Sequence, residues 1–168
     1  MGGLADQRLW APWRSTYIKG EKSDECIFCT KPELPDEEGL VVHRGERCFV
    51  MLNAFPYTNG HVMVAPYAHI GSLQELDEPA TNELIALVRR SLQAIGSSYG
   101  PDGYNLGANL GSVAGAGVAD HFHMHVVPRW EGDTNFMPVV GDVRVLPESL
   151  EDSYRSLKDA FAALEAGR

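Results

Sequence analysis

Residues 119–129 read Ala119-Asp120-His121-Phe122-His123-Met124-His125-Val126-Val127-Pro128-Arg129. Polar and apolar residues alternate, and in a strand successive side chains point to opposite faces. His121, His123 and His125 then share one face. Phe122, Met124 and Val126 share the other, which predicts a strand His121–Pro128 with an apolar row against a core. The strand rise sets the imidazoles roughly 6–7 Å apart along one surface. Three of the chain's six histidines stand in this strict alternation, a pattern that points to chemistry. Such imidazoles serve either as metal ligands or as nucleophile and acid–base groups on phosphorus. The stretch just before them, Asn109-Leu110-Gly111-Ser112-Val113-Ala114-Gly115-Ala116-Gly117, favours the second use. Its small residues let backbone N–H groups converge on an anion.

Working outward, Leu40–His43 and Arg47–Asn53 flank Arg44-Gly45-Glu46 and predict a hairpin. His61–Pro66 follows the turn-rich Pro56-Tyr57-Thr58-Asn59-Gly60 and predicts a third strand. A fourth lies at Tyr104–Ala108. Leu84, Leu87, Val88, Leu92 and Ile95 recur at steps of three and four, which predicts a helix over 79–98. Asp77 or Thr81 is its expected cap and Gly100 its expected end. Pro147 is expected to open a last helix with Leu150, Tyr154, Leu157, Phe161 and Leu164 on its apolar stripe. About five strands and two main helices, without regular βαβ alternation, indicate an α+β domain on a mainly antiparallel sheet. Residues 1–24, with the aromatic patch Leu9-Trp10-Ala11-Pro12-Trp13, read as an extension packing on the domain or on a partner chain. Residues 25–168 form the domain.

The chain has 168 residues, 44% hydrophobic and 22% charged, the mix of a single globular domain. Its formal charge of −9, with no Lys/Arg cluster, argues against nucleic acid as a partner. It does not exclude small anions, which backbone N–H groups can hold. No apolar run approaches the ~20 residues of a membrane span, and no secretion pattern opens the chain; a cytoplasmic location is expected. The three cysteines do not suggest a disulfide framework. The close pair Cys26-Ile27-Phe28-Cys29 reads as half a tetrahedral metal site, a redox pair or two buried thiols. Cys48, in an apolar strand, reads as core, and His43 has no expected role.

The segment His121-Phe122-His123-Met124-His125-Val126-Val127 resembles the signature of the histidine-triad (HIT) superfamily. Asn53 with Gly60-His61-Val62-Met63-Val64-Ala65-Pro66 resembles its first nucleotide-binding segment, and Cys26–Cys29 the zinc-bearing start of many bacterial members. Arg8-Leu9-Trp10-Ala11-Pro12-Trp13-Arg14 and Pro128-Arg129-Trp130-Glu131-Gly132-Asp133-Thr134-Asn135-Phe136 are similar to the branch containing the actinobacterial diadenosine tetraphosphate phosphorylases.

The resemblance implies that His123 attacks the α-phosphorus of an adenine nucleotide and forms a nucleotidyl-histidine intermediate. A backbone carbonyl would hold its other ring nitrogen. His125 would contact the bridging oxygen and assist the leaving group. Asn109 and the loop backbone at Gly115 and Gly117 would hold phosphate oxygens, and Asn53 the ribose. Ile27, Phe28 and Met51 would line the purine pocket, and His61 belongs to the nucleotide-binding set. The resemblance also implies a structural zinc on Cys26, Cys29, His69 and His121, and a homodimer in which two sheets join, or a larger assembly. Arg129 would either reach the polyphosphate tail or stand solvated. Trp130 would either cover the pocket mouth or pack.

One position departs from the pattern. Many members carry Ser or Thr three residues before the triad, where this chain has Val118; Ser112 would substitute only if the loop folded back. The departure fits phosphorolysis, with inorganic phosphate as second substrate and ATP plus ADP as products. Three alternatives stand beside it: a hydrolase of dinucleoside polyphosphates or nucleoside phosphoramidates, a non-catalytic nucleotide-binding module, and a catalytic metal site on the three histidines.

Overall fold

The computed structural model describes residues 25–133 and 148–167. The predicted extension 1–24 and Pro147 lie outside them. Five strands, β1 (Val41–Arg44), β2 (Cys48–Leu52), β3 (Val62–Pro66), β4 (Gly103–Gly107) and β5 (Met124–Arg129), join in one sheet of order β1-β2-β3-β5-β4. Every neighbouring pair is antiparallel. Two long helices, α1 (Glu78–Tyr99) and α2 (Leu150–Ala166), pack together on one face. This is the α+β architecture expected from the sequence. No helix among the described residues is long and apolar enough to cross a membrane.

β2 and β3 are buried along their whole length, and their alternating side chains feed two cores. Cys48, Val50, Leu52, Val62 and Val64 meet Leu84, Leu87, Val88 and Ile95 of α1 and Leu157 and Phe161 of α2. Phe49, Met51, Met63 and Ala65 point the other way and pack with Phe28 and Val41. Cys48 is a core residue as expected; burial pushes its thiol up to about 12. His43, which had no expected role, is buried and stacks on Phe161 at 5.0 Å. Arg90 of α1 donates to its Nε2 at 3.0 Å. That ring therefore ties β1 to both helices.

The helix ends follow from local chemistry. Asp77 caps α1 by accepting the Ala80 N–H at 2.8 Å, while Thr81 donates to the Asp77 carbonyl. Gly100 ends the helix in the left-handed region at φ 53°. Ser149 caps α2 by accepting the Asp152 N–H.

The strand that carries the histidines starts later than the alternation predicts. β5 begins at Met124, not His121, because the last pair of the β3–β5 ladder is Val64 with Met124. Upstream of it the Phe122 N–H is taken by the Ile70 carbonyl at 2.6 Å, in the segment leaving β3. The two rows survive: Phe122 and Val126 are buried in the helix-side core and Met124 packs against it. The opposite row is not an open surface, since His121 is 1% and His123 6% exposed.

Asp36, in the turn before β1, bonds Arg44 Nε at 2.8 Å and Lys158 Nζ of α2 at 2.5 Å. Burial pushes its carboxyl up, but the hydrogen bonds from Lys158 and Arg44 outweigh burial and hold it below the ordinary value. A depressed carboxylate stabilises the fold above its unfolded-state pKa, and the contribution is lost as pH falls through the folded-state value. Asp36→Asn is expected to lower the melting temperature at neutral pH by about 2–4 °C, or about 1 kcal/mol. The gap between variant and wild type should close below about pH 4. Thermal melts across the acid range check both.

Candidate active site and metal centre

At the entrance to β5 the backbone fixes the tautomer of His123. Its Nδ1–H donates to the carbonyl of His121, two residues back, at 2.9 Å. The ring proton thus sits on Nδ1 and the lone pair on Nε2. Burial holds both His121 and His123 below the ordinary imidazole range, which favours the neutral, nucleophilic form at neutral pH. Phe28 stacks on the His123 ring with centroids 4.5 Å apart, and His125 meets it edge-on at 5.0 Å.

A second chain of hydrogen bonds fixes His125. The Tyr57 N–H donates to His61 Nδ1 at 3.1 Å. A neutral His61 must then carry its proton on Nε2, which lies 3.0 Å from His125 Nδ1. His125 accepts there and bears its own proton on Nε2. His61 is fully buried, at 0% exposure, with the Tyr57 ring stacked on it. It stands behind His125, with the two ring centroids 5.2 Å apart.

The remaining expected residues are distributed as follows. Asn53 is half-buried, and its Oδ1 accepts the Phe55 N–H at 2.9 Å, which starts the turn leading to His61. Asn109 Nδ2 reaches the Gly115 carbonyl at 3.4 Å and so braces the glycine loop. Gly115 and Gly117 are exposed. Within this loop the N–H groups of Ala114, Gly115 and Ala116 bond to loop carbonyls, so these three are already committed. Ser112 lies exposed in the loop, and Val118 packs beside the Phe28 core. Phe28 and Met51 are 1% and 3% exposed; both are core residues here, and half-buried Ile27 is the one of the three with accessible surface. Arg129 is exposed and ion-paired. It forks onto Asp133 at 2.5 and 2.9 Å and bonds Asn105 at 2.8 Å. Trp130 is half-buried.

On the other side of His121 four donors converge. Cys26, Cys29, His69 and His121 present ligand atoms that all lie within 4.8 Å of one another. Cys26 Sγ and His121 Nδ1 are 3.3 Å apart, as are Cys29 Sγ and His69 Nδ1, and the two Nδ1 atoms. A tetrahedral ion with metal–nitrogen bonds of about 2.05 Å separates two nitrogens by about 3.3 Å, so the spacing fits a zinc-sized cation. The protonation pattern fits as well. His121 Nε2 donates to the Pro66 carbonyl at 2.9 Å, leaving the Nδ1 lone pair aimed into the cluster. Burial and the neighbouring Cys26 push the Cys29 thiol up, a state that a central cation reverses. With these four as a closed set, the site leaves no position for a reacting water.

Several site-building groups are not legible as functional in the sequence: the Pro66 and Ile70 carbonyls, the Tyr57 N–H, and Gly71. A Cβ on Gly71 would lie 3.2 Å from the Ala119 carbonyl. Close passage of 69–71 against 119–122 is what brings His69 to His121.

Comparison with known proteins agrees with this geometry. The family described as "HIT domain" matches residues 35–132. The AP-4-A phosphorylase of Mycobacterium tuberculosis (strain H37Rv) is 40% identical over 165 residues, covering 93% of this chain and 85% of that protein. The Hit protein of Bacillus subtilis is 32% identical over 66% of this chain and 76% of its own length. Among solved structures, a zinc-bound histidine triad family protein from Mycobacterium smegmatis superposes with a TM-score of 0.68 at 28% identity, covering 86% of this chain and 98% of that one. Buried histidines held in defined tautomers, the four-donor cluster and these likenesses lead to one assignment: the chain belongs to the HIT domain family.

Proposed function

We propose that this protein cleaves diadenosine tetraphosphate by phosphorolysis, through a nucleotidyl group carried on His123. The observation that carries the reading is the hydrogen bond from His123 Nδ1 to the His121 carbonyl, which presents Nε2 as the attacking lone pair. The 40%-identical AP-4-A phosphorylase supports the substrate and the acceptor.

In the first half-reaction, His123 Nε2 forms a bond to the α-phosphorus while the bond to the bridging oxygen breaks. ATP departs with that electron pair and takes the proton from His125 Nε2. In the second, an oxygen of inorganic phosphate attacks the same phosphorus and the P–N bond breaks. His125 recovers a proton from the incoming phosphate, and ADP is released. Val118 places no hydroxyl before the triad, which accords with a phosphate acceptor. In this conformation the committed N–H groups of Ala114, Gly115 and Ala116 do not hold that phosphate. Asn53 and Ile27 remain in the reading as ribose and purine contacts, Asn109 as the brace of the phosphate loop, and Phe28 as the support of the nucleophile.

Cys26, Cys29, His69 and His121 would hold a structural zinc. It would supply cross-linking of three chain segments and no step of the reaction. Thiols kept reduced as metal ligands accord with a cytoplasmic location. β4, the sheet edge nearest the triad, is where a second copy would join in a homodimer.

His123→Ala is expected to lower kcat by several orders of magnitude with the melting temperature retained, because the covalent route is lost. Chromatography of the wild-type reaction should show ATP plus ADP, at a rate that rises and saturates with added phosphate. ATP plus AMP at a rate indifferent to phosphate would make the protein a hydrolase. Elemental analysis should find about one zinc per chain. The Cys26→Ser, Cys29→Ser double variant should bind none and melt at a lower temperature; metal-free wild type with an unchanged melting curve would exclude the site.

A further inference from the structure

We propose that Thr58 is a positioning residue for proton delivery by His125. The proposal rests on the reading of His125 as the proton donor to the leaving group.

β3 pairs with β5 only from Val62–Val126 to Val64–Met124. Beyond Val126 the Pro128 carbonyl has no ladder partner from β3. The Thr58 hydroxyl donates to that carbonyl at 2.8 Å, with Thr58 buried at 9% exposure. A side chain therefore continues the pairing after the strand has stopped. What lies at each end of this bond gives it functional weight. Pro128 is three residues beyond His125 on one strand. Thr58 sits between Tyr57, whose N–H sets the His61 tautomer, and His61 itself, whose N–H donates to the Thr58 carbonyl at 3.2 Å. One hydroxyl thus holds the turn bearing His61 in register with the strand bearing His125, where the two rings meet at 3.0 Å.

Other bonds keep the turn folded without the hydroxyl. The Asn53 N–H donates to the His61 carbonyl at 3.0 Å, and Asn59 Nδ2 to Glu148 Oε2 at 3.2 Å. Losing the hydroxyl then loosens the contact between His61 and His125 and leaves the fold in place. In the fraction of molecules where that contact opens, the His125 proton can move to Nδ1. There it faces His61 and not the departing oxygen.

The test joins kinetics to the tautomer. Histidine-labelled protein is examined by long-range proton–nitrogen-15 correlation, and diadenosine tetraphosphate turnover is measured with saturating phosphate. Wild type should show His125 as the Nε2–H tautomer; an Nδ1–H tautomer there overturns the proposal without any variant. Thr58→Val should give mixed tautomers at His125 and a kcat lowered roughly tenfold, below the 10²–10⁴ that complete general acid–base catalysis is worth, with KM unchanged. Thr58→Ser should restore both. Thr58→Ala serves if the valine variant does not fold. A lowered kcat with the His125 tautomer intact, or failure of the serine to rescue, would make Thr58 merely structural and overturn the proposal. A mixed tautomer with unchanged kcat would instead overturn the reading of His125 as the proton donor.

Discussion

The hydrogen bond between His123 Nδ1 and the His121 carbonyl exists because β5 starts late. Inside an antiparallel ladder a carbonyl that faces a neighbouring strand is spent on that strand. Residues 121–123 lie just outside the ladder, so the carbonyl of His121 is left for the imidazole two residues on. The segment leaving β3 keeps this stub straight. The Pro66 carbonyl at the end of β3 takes the His121 ring, and the Ile70 carbonyl beyond it takes the Phe122 N–H. Three consecutive residues are thereby fixed by main-chain oxygens, and His123 inherits its orientation from them.

The two-sided sheet gives this arrangement its depth. The helices cover one face with a broad apolar layer. The other face is closed by a smaller group around Phe28, which rides on the single helical turn Ile27–Thr30. The same turn carries Cys29 and follows Cys26. Phe28 touches both His121 and His123. Whatever secures the two thiols consequently also presses an aromatic ring on His123.

The fold was largely legible because both of its periods are plain in the sequence. The alternation of residues 121–126 and the three-and-four spacing of α1 each have one good physical reading, and β2 and β3 stand out as apolar runs bounded by turn residues. Cys26 and Cys29 offered half of a metal site as one reading of their local spacing, whereas His69 and His121 entered only through the family resemblance. Burial of His121 and His123 was not legible, since it depends on how residues 66–71 return. Nor was the contact of His61 with His125, 64 residues away. The inward hydrogen bonds of Ala114, Gly115 and Ala116 were not legible for a different reason: small residues permit N–H groups to converge outward, but they equally permit a tight turn that uses them inward. The pairing of Arg129 with Asp133 is local, four residues apart, and was within reach of a closer reading of charge spacing.

The four-donor cluster draws on positions 40, 92 and 95 residues apart in the chain. An unfolded chain offers a cation only the adjacent thiol pair, with the imidazoles diluted by the loops between them. In the native state the sheet has already brought them together, and the loop-closure cost is met by strand pairing. A cation bound there would owe its tightness to the protein's own tertiary structure. Every increment of selectivity for the native state over the unfolded one returns as resistance to unfolding.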